Sequence, residues 1–139
     1  MGSPPSAILE SALYVTDLDA AEAFYREVIG LDLIAKVADR HVFFRCGAGV
    51  LLLFNAEATR QQPLPGAKYP VPGHGANGEG HLCFAATASE IEAWVARLKL
   101  AGVAIEADFE WPGEGRSIYF RDPAGNSIEF AEPRIWGIE

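Results

Sequence analysis

The chain has 139 residues, 50% of them apolar and 22% charged, with a formal net charge of -8. This length allows one compact unit with a real core, because a chain of this size hides roughly two-thirds of its unfolded surface, and the ordinary composition excludes intrinsic disorder. The 19 acidic against 11 basic residues, with no basic stripe, exclude generic nucleic-acid binding, which needs clustered cations to displace counterions.

The longest apolar runs, such as Val50 to Phe54, fall far below the roughly 18 residues of a membrane span, so no membrane partner is expected. The first residues, Met1-Gly2-Ser3-Pro4-Pro5-Ser6, lack the basic and apolar regions of a signal peptide, and a cytoplasmic location is the expectation. Cys46 and Cys83 fall inside apolar runs and read as two buried free thiols.

In chain order, Ile8 to Val15 reads as a strand. Thr16, with Asp19 three residues on, offers a helix cap. Leu18, Ala21, Phe24, Tyr25, Val28 and Ile29 then form an apolar stripe ending at Gly30. Strands follow near Leu31 to Val37, His41 to Cys46 and Val50 to Asn55. Residues 56–80 hold four of the nine prolines and five of the fourteen glycines, so this stretch is a spacer or a lid. A second strand, His81 to Ala86, leads to a capping box at Thr87 and Glu90. Its helix carries the stripe Ile91, Trp94, Val95, Leu98 and Ala101 and stops at Gly102. The last strands lie near Val103 to Glu110, Arg116 to Arg121 and Ser127 to Ala131. Asp122-Pro123-Ala124-Gly125 between them is a structural hairpin turn.

The order β-α-β-β-β therefore occurs twice in a single domain over 1–139: module one at about 8–56, a linker at 57–79 and module two at about 80–133. A shift of 76 residues sets Phe44-Arg45 on Phe120-Arg121 and Gly49 on Gly125 without a gap, with Leu53 opposite Glu129. A shift of 71 sets Glu10 opposite His81. The repeat thus marks four equivalent slots, held by Glu10, Leu53, His81 and Glu129, three of which can ligate a metal. Neither half has enough buried surface alone, so the expected fold class is α+β, two paired modules forming a cup-shaped half-barrel.

Tyr14-Val15-Thr16-Asp17-Leu18, Ala23-Phe24-Tyr25 and Ile29-Gly30-Leu31, together with Tyr119-Phe120-Arg121-Asp122-Pro123-Ala124-Gly125-Asn126-Ser127-Ile128-Glu129-Phe130, resemble the vicinal oxygen chelate superfamily. This group takes in glyoxalase I, extradiol dioxygenases, fosfomycin-inactivating enzymes and bleomycin-resistance proteins. The resemblance covers about residues 8–133. It implies a glyoxalase-like fold with metal ligands on the first and last strands of each module, here Glu10, His81 and Glu129, with Leu53 in the fourth place. The first position is commonly His and is Glu10 in this chain.

One imidazole and two carboxylates suit a divalent ion, with Mn or Fe(II) favoured and Zn, Ni, Co or Mg as alternatives. Such an ion polarises a carbonyl or binds vicinal oxygens. Glu129 and His74, the latter in a Gly-rich stretch before the His81 strand, are the candidate acid–base groups. Leu53, Tyr119, Phe43 and Trp111 are candidates for substrate contact. Tyr119 lies ten residues before Glu129, a spacing that resembles the substrate-contacting tyrosine of the fosfomycin enzymes. The missing first-strand His argues against that substrate. His41 lies opposite Ser117 in the 76-residue register, on a strand able to line the cup, and a surface or packing role is the stronger expectation. Two readings stand: a metal-dependent lyase, isomerase or dioxygenase, and a metal-free drug-binding protein of the bleomycin-resistance kind. A small-molecule ligand and a homodimer are the expected partners, the dimer joined through exposed sheet edges and a helix face at Ala23, Phe24 and Val28.

Overall fold

The computed structural model describes residues 2–139, which divide into two compact units, one ending at Gly78 and the other running from Glu79 to Glu139. The fold is α+β, with two four-stranded mixed sheets and one main helix for each sheet. In unit one, β1 (Glu10–Tyr14), β2 (Asp32–Val37), β3 (His41–Cys46) and β4 (Gly49–Phe54) are ordered β1-β4-β3-β2. In unit two, β5 (His81–Ala85), β6 (Ala107–Glu110), β7 (Arg116–Arg121) and β8 (Ser127–Ala131) repeat that order as β5-β8-β7-β6. In both units the first strand pairs parallel with the last, which a helical crossover makes possible.

The crossover of unit one is α1 (Leu18–Ala23), continued by a π-helical segment (Phe24–Ile29) that stops at Gly30 with φ 89°. Its cap is Asp17, whose carboxylate accepts the Ala20 N–H, and not Thr16, which lies one residue further from the first turn. Phe24 is buried, so the expected exposed helix face lacks its largest member. A single turn, α2 (Ala56–Thr59), opens the long connection. In unit two, α3 (Ala88–Leu100) begins at the Thr87–Glu90 capping box, and Trp94 stacks on Phe130 at 4.5 Å.

Strand pairing corrects the gapless internal repeat. Four residues separate the paired Arg45 and Val50 in the β3–β4 hairpin, whereas five separate Arg121 and Ser127 in β7–β8. One residue is thus inserted in the second turn. Holding β3 on β7, the residue equivalent to Glu129 becomes Leu52, and Glu10 remains equivalent to His81. A one-residue slip reverses the face of every side chain in a strand. Leu53 accordingly has no exposure and lies between Leu13 and Val42 on the side that packs on α1. It cannot contact a ligand on the opposite face, so its assignment to the fourth slot and to substrate binding is overturned.

The two thiols also depart from expectation. Cys46 is half-buried and Cys83 is exposed, because Cys83 sits on the face of β5 turned away from α3. No helix among the described residues is long and apolar enough to cross a membrane.

Candidate functional site

Alternation along β8 sends Ile128 and Phe130 to the helix side and leaves Glu129 on the open face. There Glu129 pairs across the sheet with Cys83 on one side and Tyr119 on the other, and it is only 5% exposed. A carboxylate so covered requires hydrogen-bond donors. Ser117 Oγ donates to Glu129 Oε2 at 2.6 Å, and Trp111 Nε1 donates to Ser117 Oγ at 2.8 Å. The indole, the hydroxyl and the carboxylate form one chain that fixes one oxygen and turns the other, Oε1, toward His81.

His81 Nε2 lies 3.3 Å from that Oε1. On the far side of the ring, Nδ1 is 3.0 Å from the Ser127 carbonyl oxygen, which can only accept, so Nδ1 carries a proton. In the neutral ring the Nε2 lone pair therefore points at the free carboxylate oxygen. A backbone carbonyl orienting the distal nitrogen of a ligating histidine is the usual support of a metal site. The pair fits a divalent ion, supplying one nitrogen and one oxygen donor. Among the described residues, no three His, Cys, Asp or Glu side chains form a group able to hold a metal. Glu10 belongs to unit one, at the exposed start of β1, and alternation puts it on the face shared with Ala12 and Tyr14.

Around the pair stands an aromatic row. Tyr119 stacks with His81 at 6.2 Å and with Phe109 at 5.9 Å, and Phe109 meets Trp111 edge-on at 4.9 Å. Burial, reinforced by the Glu129 carboxylate, pushes the Tyr119 phenol up to about 12, so it remains a hydrogen-bond donor at neutral pH. Cys83 is exposed as a residue, yet its thiol, on the strand position paired with Glu129, is desolvated and faces that charge; both effects push it up to about 12 and keep it protonated.

Unit one presents a different open face. Phe43, Phe54, Tyr14 and His41 share it, with His41 stacked on Phe43 at 4.0 Å and Phe43 edge-on to Phe54 at 5.5 Å. His74 is drawn onto this face and is half-buried. Its Nδ1 lies 2.7 Å from the Tyr14 hydroxyl, its ring is 4.7 Å from Phe54, and Thr59 holds its backbone at both N–H and C=O. It is thus not the loose loop histidine that its Gly-rich neighbours suggest.

The structure brings together His81, Glu129, Tyr119 and Trp111 in unit two, and His74 and Phe43 in unit one. Ser117 and Tyr14 escaped the sequence reading as site residues. Ser117 was recoverable, since in an antiparallel hairpin Tyr119 pairs with Glu129 and Ser117 follows on the same face.

A doubled β-α-β-β-β architecture with a His–Glu pair on the open sheet face defines a class. Residues 7–130 match the Glyoxalase/Bleomycin resistance protein/Dioxygenase superfamily, and the chain belongs to it. Among solved structures, lactoylglutathione lyase from Agrobacterium tumefaciens is 46% identical, with a TM-score of 0.89 over 98% of this chain and 100% of that one. The virulence protein STM3117 of Salmonella typhimurium is 33% identical over 86% of this chain and 79% of its own length. The glutathione transferase FosA of Serratia marcescens is 30% identical over 84% of this chain and 74% of its own.

Proposed function

We propose that the protein is a metal-dependent small-molecule enzyme of the vicinal oxygen chelate type, of lyase, isomerase or dioxygenase kind, with a divalent ion held by His81 and Glu129. The observation that carries this reading is the His81–Glu129 pair, whose free Nε2 and Oε1 converge while Ser127 and Ser117 fix the opposite atoms. The similarity to a lactoylglutathione lyase and to FosA supports an enzyme of this kind.

When bound, Mn or Fe(II) would polarise a carbonyl or hold two neighbouring oxygens of the substrate. The residues do the rest. Tyr119, protonated at neutral pH, donates toward a substrate oxygen, and Phe109 with Trp111 gives an apolar wall that excludes water. His74, tied to the Tyr14 hydroxyl, is the candidate group for taking or returning a proton. Elemental analysis of protein purified without chelator tests the reading. Near-stoichiometric Mn, Fe or a related divalent ion supports it. Metal-free protein that binds cationic drugs instead would give the site to the sequestration reading, for which the net charge of -8 is the supporting observation.

A further inference from the structure

The connection after β4 folds back within unit one and leaves a pocket of about 580 Å³, lined by Arg40, His41, Gln61, Leu64, Tyr69 and Val71 with small apolar neighbours. Its volume lies in the range of small-molecule sites. Leu64, Tyr69 and Val71 are 80%, 75% and 56% exposed, so one short stretch turns three large side chains outward. In a chain with 19 acidic residues, no Asp or Glu lines this pocket.

Arg40 differs from five of the eight arginines. Arg26, Arg60, Arg116, Arg121 and Arg134 each lie beside a carboxylate. Half-buried Arg40 has no ion pair among the described residues and instead donates from Nη1 to His41 Nδ1 at 2.7 Å. The imidazole accepts that bond and is neutral, and burial together with Arg40 holds His41 below its ordinary value. The guanidinium charge is therefore uncompensated, and its remaining N–H donors keep the planar fork that matches a carboxylate.

We propose that this pocket binds a small organic carboxylate, with its oxyanion on Arg40 and its hydrocarbon body against Leu64, Tyr69 and Val71. One cation and apolar walls suit a monoanion, and a phosphate dianion calls for more positive charge than the pocket holds. The site uses none of Glu10, His81 or Glu129, so it stands apart from the metal reading.

Octanoate, octanamide and octyl phosphate titrated separately into the full-length protein, followed by amide chemical shifts, test the proposal. Octanoate should give saturable shifts at Leu64, Ala67, Tyr69 and Val71 and bind about tenfold tighter than octanamide. Arg40→Met should erase that preference, and EDTA should leave it unchanged. Val71→Asp, at an exposed position, should repel octanoate and gives the same answer if Arg40→Met fails to fold. Equal binding of octanoate and octanamide, no saturable shift at millimolar ligand, tighter binding of octyl phosphate, or loss of binding with EDTA would each overturn the assignment.

Discussion

Glu129 owes its orientation to a hydroxyl whose own lone pair is occupied by an indole, so the carboxylate cannot rotate without breaking its bond to a hydroxyl that is itself held in place. Ser117→Ala should therefore lower divalent-ion affinity tenfold to a hundredfold, the usual effect of removing an outer partner, while lowering stability by about 1–3 kcal/mol. Calorimetric titration with Mn, beside a thermal melt, checks both. Leu52 and Leu53 offer a sharper comparison, because they are adjacent in sequence but face opposite sides of β4. Leu53→Glu should abolish folding, since it forces a charge into the sealed layer beneath α1. Leu52→Glu should fold. Soluble expression of the two variants measures this. If Leu53→Glu folds while Leu52→Glu does not, Leu53 and not Leu52 faces the open side of β4 and the one-residue insertion is wrong.

Among the elements, the β7–β8 turn places His81 as much as β5 does. Asp122 accepts from the backbone N–H groups of Ala124 and Asn126 and from the Asn126 side chain, and Gly125 adopts φ 89°. Asn126 Oδ1 then accepts the Gly80 N–H at 2.7 Å, next to His81. Asn126→Ala should cost about 1–3 kcal/mol and weaken metal binding by loosening the start of β5, as thermal melts and Mn titration would show. Arg116 ties β7 to Asp108 on β6 and to Glu92 on α3, and its backbone N–H binds Glu132. The Arg116 side chain holds Asp108 below its ordinary 3.8, and the Arg116 backbone N–H followed by Arg134 holds Glu132 below 4.5. Depressed carboxylates contribute stability above their unfolded values and lose it as pH falls through their folded ones. The melting temperature should thus hold down to about pH 5 and fall below it, with a shallower fall in Arg116→Gln. These same elements show what was legible beforehand. Period and caps marked all eight strands and both main helices, because apolar alternation and turn residues are local signals. The extra turn residue was not legible, since the gapless register sets Gly49 on Gly125 and only the hydrogen-bonded ladder counts residues between paired strands. Nor does local pattern reveal that Trp111 donates its N–H to Ser117, which depends on how the β6–β7 hairpin closes, or that His74 is tied to Tyr14, which lies far away in the chain.

Among the described residues, each sheet leaves two edges unpaired, at β1 and β2 and at β5 and β6, and Ile8, Leu9, Trp136 and Ile138 expose apolar surface. These features support a homodimer, and light scattering at micromolar concentration should give about 30 kDa, twice the 15.0 kDa of one chain. The most direct test of the metal site is the melting temperature of chelator-stripped protein with and without added Mn or Fe(II). An ion that binds only the folded state stabilises it by about 2.7 kcal/mol at a hundredfold excess over its dissociation constant. Wild type should show a clear rise that vanishes in Glu129→Ala and His81→Ala and persists in His41→Ala. A melting temperature indifferent to every divalent ion, with Glu129→Ala melting as wild type does, would contradict a metal held by these residues.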